Sequence, residues 1–302
     1  MSTLETSLKA KALVLLHIAV LLFGFTAILG DLIALSALMI VWWRVVITCT
    51  SLLFLIRFGK DLLIIDKRKI LIYLGIGFII GIHWLCFYGA VKLANASITL
   101  ICMATTSFFT SLLEPFFTKK IRHDFLDISL GLVMIPCMYL VVKGAHLTNL
   151  SGVWVGLLSA LLASVFTILN KKHMGDTDTM SLTFLELVGV FIVISAIVPF
   201  VSNGDDFRFV PQEHITWFYL LVLALLCTTL AWVLSLKALK FISAFEANLV
   251  VNLEPVYGIL LAAVLLKEYN DLTSTFYLGG ALILIIVITY PWMKRKLSAY
   301  TS

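Results

Sequence analysis

Long apolar runs, broken by short polar clusters, organise this chain from end to end. Ten such runs lie at residues 11–30, 37–57, 70–91, 95–118, 126–143, 150–170, 180–201, 214–236, 241–266 and 272–292. Each approaches the roughly 20 residues that a helix needs to cross about 30 Å of hydrocarbon. The pattern predicts an all-α integral membrane protein with ten transmembrane helices. The polar links are short, and the longest, Ser202 to Glu213, is too small to fold as a soluble domain. The first run is as long as a span and lacks a small-residue cleavage pattern, so it reads as a retained helix and not as a signal peptide.

Composition agrees. Of 302 residues, 61% are hydrophobic and 13% charged, too little polar surface to cover a soluble domain of this length. The five cysteines, Cys49, Cys86, Cys102, Cys137 and Cys227, fall inside apolar runs without C-x-x-C spacing and read as small buried hydrophobes.

Charge sets the orientation. Sorted by alternate links, 17 of the 22 basic residues fall on one side, among them Lys9, Lys11, Lys67, Lys119, Lys171, Lys240 and Lys294. Four fall on the other, Lys92, Lys143, Arg208 and Lys267, and Arg44 is left within a helix. Cytoplasmic loops retain Lys and Arg, so the expected place is the inner (plasma) membrane, multi-pass, with both termini cytoplasmic. The net charge of +5 is thereby explained without nucleic acid, and no basic stripe with interleaved aromatics appears.

An internal repeat divides the chain. An offset of 148 superposes Trp84 on Trp232, Ala90 on Ala238, Lys92 on Lys240, Ala96 on Ala244, Leu113 on Leu261, Lys119 on Lys267 and Gly131 on Gly279. A second offset of 140 joins Leu21-Leu22 and Ile28-Leu29 to Leu161-Leu162 and Ile168-Leu169. The Glu114-Pro115 and Glu254-Pro255 pairs also stand 140 apart, but that register loses the matches on both flanks, so they are not symmetry mates. Two repeats follow, residues 1–146 and 147–302. Each holds an odd number of spans, so the halves face opposite ways, the construction that puts a transporter's site near the midplane.

The segment Ala-Leu-Lys-Phe-Ile-Ser-Ala at 238 to 244, Leu253-Glu254-Pro255-Val256, and Leu265-Leu266-Lys267-Glu268 resemble the EamA family of the drug/metabolite transporter superfamily. The resemblance spans the chain and is strongest in the second half. The first half departs from the family pattern, with no proline in Thr105 to Phe108 and Lys120 where a glutamate commonly closes the fourth helix. The hinge is therefore expected at Pro255, and the site around the ninth helix. The resemblance implies a secondary transporter that exports amino acids or other small metabolites by alternating access, with drug or toxic-compound efflux as the alternative. It also supplies a cavity formed by helices one, three, four, six, eight and nine.

Ionisable groups inside a bilayer are expensive, so Arg44, Glu114, Glu186 and Glu254 should face protein or water. Thr99, Thr106, Thr110 and Glu114 share one helical stripe. Either it lines an aqueous path, or its hydroxyls bond back to helix carbonyls and Glu114 reaches the headgroups. Asn248 and Asn252 stand four apart before Pro255, whose missing amide loosens the backbone near residue 251, and they read either as a polar substrate-recognition spot or as interhelical glue.

Mid-helix Trp84, with Tyr88, and Trp232, with Thr228 and Ser235, form two mixed aromatic and hydroxyl faces that either hold an amphipathic solute or simply pack the core. Glu114 and Glu254 are candidates for proton or ion coupling. His83 and His17 read as core residues, and Arg44 as snorkelling or binding carbonyls near the outer surface, with Glu186 on the opposite side. No Walker loop, catalytic triad or metal-ligand cluster is present in the sequence. ATP-driven transport, cofactors and metal are not expected, and an intramembrane enzyme or scaffold is the minor alternative. The expected partners are a small-molecule substrate and the lipid bilayer, with the chain a monomer or homodimer and no nucleic acid bound.

Overall fold

The computed structural model describes residues 3–55, 62, 65–117, 150–201, 209–251, 253–265 and 273–301, with isolated positions between 129 and 144. Apart from those positions, the predicted stretch at 126–143 lies outside the described residues.

Apart from short links, the described residues are helical: α1 (Thr3–Leu32), α2 (Ala37–Leu55), α3 (Lys67–Leu93), α4 (Ala96–Met103), α5 (Thr106–Phe117), α6 (Ser151–His173), α7 (Thr179–Val201), α8 (His214–Ala224), a π-helical turn (Leu225–Leu230), α9 (Ala231–Leu239), α10 (Ala244–Val251), α11 (Glu254–Leu265) and α12 (Ser274–Thr301). Lipid offers no hydrogen bonds, so a backbone crossing it must satisfy its own. Seven helices among the described residues are long and apolar enough to cross a membrane, with α4–α5 and α8–α9 each counted as one run. Large apolar side chains point outward from them, Phe54 at 86% exposure and Phe116 at 74%, a surface suited to lipid.

The fourth and ninth predicted stretches are each broken in two, and the breaks coincide under the repeat. Adding 148 to the bounds of α4 and α5 gives the bounds of α10 and α11. Each broken helix also opens with a side-chain cap at matching positions. Asn95 accepts from the Ile98 amide at 2.8 Å. Ser243 accepts from the Glu246 amide at 3.0 Å, while Glu246 Oε2 accepts from the Ser243 amide at 3.1 Å, a reciprocal capping box.

The expectation that only the second half is interrupted is therefore corrected. In the first half, Thr105 and Thr106 stand in for the missing proline, donating their hydroxyls to the Cys102 and Met103 carbonyls at 2.7 Å each. Those bonds compete with the helical ladder. In the second half Pro255 falls in the first turn of α11, where its lost amide is tolerated.

Lysines tie the helix ends. Lys171 donates to the Leu239 carbonyl at 2.8 Å, Lys240 to the Thr177 carbonyl at 2.7 Å, and Lys9 pairs with Glu246 at 2.5 Å. Lys92 donates instead to the Ile33 carbonyl at 2.9 Å, between α1 and α2. Close packing of α3 on α7 depends on two glycines. A Cβ on Gly77 would run into the Glu186 carbonyl oxygen, and one on Gly189 into that of Leu74.

Candidate functional site

A cavity lies among the helices, its atom-free space of about 820 Å³ including the part open to solvent. Nine elements line it: α1 to α6 and α9 to α11. Its walls are aromatic. Trp84 and Trp232 meet edge to face with ring centroids 5.7 Å apart, and Phe166 and Phe23 stand 5.4 Å and 6.4 Å from Trp232. Four pairs of lining residues are related by the 148 offset: Trp84 and Trp232, Phe87 and Ser235, Met103 and Val251, Thr106 and Glu254. The second half carries the more polar member in two of them, so shape is nearly symmetric and polarity is not.

Arg44 is the cation of this cavity. Its guanidinium carbon lies 3.8 Å from the centre of the Trp84 ring, its Nε donates to Thr228 Oγ1 at 2.5 Å and its Nη1 to the Tyr88 hydroxyl at 2.8 Å. The residue is 3% exposed, so the expected snorkelling toward the outer surface is corrected. The long side chain turns inward because two acceptors and an aromatic face together offset its desolvation. The π-turn sets up one of those acceptors. Within Leu225–Leu230, Thr228 donates to the Leu223 carbonyl five residues back at 2.6 Å, leaving its oxygen turned to Arg44. Helix α2 thereby joins the cavity, which the expected helix list omitted.

Glu254 lines the same cavity as Arg44 without forming an ion pair to it. Of the other residues singled out in the sequence, Trp84, Thr106, Trp232 and Asn248 line the cavity. Tyr88 and Thr228 stand behind it holding Arg44, and Thr110 accepts from the Asn248 amide at 2.7 Å. The Thr stripe bonds back to its helix: Thr99 to the Asn95 carbonyl, Thr106 to that of Met103 and Thr110 to that of Thr106. Glu114 is buried. Asn252 lies outside the described residues.

The cavity is not centred on the ninth predicted stretch. Arg44, Asn170, Phe166 and Phe23, from α1, α2 and α6, complete it. His83, read as a core residue, also faces it, with Nδ1 2.9 Å from both the carbonyl and the hydroxyl of Ser159. For Arg44 a signal was present, because an ionisable residue inside a span is a site candidate by default. Asn170 carried a weaker one, a lone amide near a helix end.

Residues 150–290 match the model of the EamA-like transporter family. The second half of the chain is thus similar to this family. A protein of Bacillus subtilis (strain 168), named as the uncharacterized transporter YxxF, is 24% identical over 231 residues, covering 73% of this chain and 71% of that protein. A solved crystal structure that is 14% identical superposes on 95% of this chain and 99% of its own at a TM-score of 0.70, so the fold is shared across nearly the whole length. With its long apolar helices and this similarity, the chain is a multi-pass membrane protein.

Proposed function

We propose that this protein is a secondary transporter that exports amino acids or closely related zwitterionic metabolites by alternating access. In this reading ten helices form two inverted five-helix repeats, residues 1–146 and 147–302, set in the inner membrane with cytoplasmic termini. The equal bounds of α4–α5 and α10–α11 support the repeat, and the excess of basic residues on one side supports the orientation. The match of residues 150–290 to the EamA-like transporter family supports transport.

One observation carries the substrate class: Arg44 and Glu254 face a single cavity whose walls are aromatic. A carboxylate docks on the guanidinium, which keeps free donors beyond the two bonds it makes to Thr228 and Tyr88. An ammonium group faces Glu254 and the ring faces. The apolar remainder of the solute fills the space among Phe23, Trp84, Phe166 and Trp232. Asn248, held by Thr110, and Thr106 supply further polar contacts, and Pro255 begins the helix that moves in alternation.

The test is resistance. Cells making the wild-type chain should survive toxic neutral amino-acid analogues and lose labelled analogue faster than cells making Arg44→Ala at equal membrane level. Equal export of analogues that lack the carboxylate would move the reading to drug efflux.

A further inference from the structure

Glu186, on α7, lies outside the set of residues that line the cavity, yet it touches the wall from behind. It is fully buried. Its Oε2 accepts from the Trp232 indole at 3.1 Å, and the Asn170 side chain lies against the same carboxyl. Both neighbours line the cavity. Its Oε1 has no hydrogen-bond partner, and neither has Asn170 Oδ1. Buried acceptors without a donor are costly. A proton on the Glu186 carboxyl removes its charge and supplies a donor, and the neighbouring Asn170 amide, with both an oxygen and an NH₂, can answer either state of the carboxyl.

No cation balances an ionised Glu186 among the described residues. From α3 the facing titratable group is Tyr73, whose hydroxyl is engaged with the His173 carbonyl and Thr177, and His83 is turned to Ser159. From α2, Arg44 is turned to Tyr88 and Thr228. From α9, Lys237 is exposed, and from α6, Lys171 is bonded to the Leu239 carbonyl.

We propose that Glu186 carries the proton that is exchanged for solute, coupling to the cavity through Trp232 and Asn170. The proposal rests on the transport reading above. When the proton leaves, Oε1 requires a donor, and the Asn170 amide turns its NH₂ toward it. The face that Asn170 shows the solute changes with it, so proton and solute affinities are linked in both directions. Glu254 and Glu114 fit this role less well. Glu254 stands in the cavity where the solute itself contacts it, and Glu114 lies in the field of Lys171.

Proteoliposomes loaded with phenylalanine or leucine separate the two claims. Wild-type protein should catalyse solute counterflow without a gradient and accumulate solute when a pH gradient is imposed. Glu186→Gln, which keeps the shape and the Trp232 acceptor, should retain counterflow and lose the response to the gradient. A Glu186→Gln protein that the gradient drives like wild type overturns the proposal.

Where the variant loses counterflow as well, wild-type protein decides, through labelling by a hydrophobic carbodiimide that attacks protonated carboxyls in apolar surroundings. Labelling of Glu186 that falls as pH rises supports the proposal. No labelling at any pH shows a permanently ionised group held by a turned Asn170 amide and overturns it. Wild-type protein that moves neither solute contradicts the transport reading, while the labelling still reports on the proton.

Discussion

At the scale of single residues, Arg44 bears most of the energetic weight. A charge inside a span costs about 2.5–3.5 kcal/mol on insertion scales, and the Tyr88 and Thr228 bonds with the Trp84 face offset that cost. Lysine keeps the charge but presents a compact ammonium that neither forks between two acceptors nor stacks. Arg44→Lys should therefore raise the half-saturating solute concentration about ten- to a hundredfold, the equivalent of losing one charged hydrogen bond. Initial rates of uptake over a concentration series check this, and an unchanged half-saturation would count against carboxylate docking at Arg44.

At the scale of elements, the π-turn and the paired helix breaks distinguish this protein from a bundle of straight helices. Removing the Thr228 hydroxyl takes away the donor that holds the turn and the acceptor for Arg44 together. Thr228→Val should lower stability by about 1.5–3 kcal/mol, visible as a lower unfolding temperature in detergent, with no loss expected if the π-turn holds itself. Because the break recurs in the first half without proline, Pro255→Ala should slow turnover only on the order of threefold. Combining it with Thr105→Val and Thr106→Val should slow turnover further, and a completely inactive Pro255→Ala protein would put the hinge back in the second half alone. Gly77→Val sets a side chain against the Glu186 carbonyl and Gly189, an overpacking cost of up to about 3 kcal/mol or more. Size-exclusion profiles should show its folded yield collapsing.

These same elements show what could be read beforehand. The Trp84 and Trp232 pair was legible because two large rings at one offset sit mid-helix, where lipid-facing tryptophans do not collect. Seven of the spans were legible as apolar runs, since lipid selects for length and composition alone. The break at Ala104 was not, because Thr hydroxyls bond back within unbroken helices too. Nor was the inward turn of Arg44, since the 3.6-residue period gives a face and not a partner on another helix.

At the scale of the molecule, the lysine contacts gather the ends of α1, α6, α9 and α10 together, whereas Lys92 ties the opposite ends of α1 and α3. If the basic-rich side is cytoplasmic, tags on both termini should become reachable to an impermeant probe only after the inner membrane is opened. A tag reached in intact spheroplasts would reverse the orientation.

The central claim is that this cavity moves a zwitterionic solute, and it is tested most directly by flux of labelled neutral amino acids in proteoliposomes carrying wild-type or Arg44→Ala protein. Saturable flux by the wild type, with Arg44→Ala at the level of empty liposomes and equal protein inserted, is the predicted result. Equal flux from both proteins, or none from the wild type across the neutral amino acids, would contradict it.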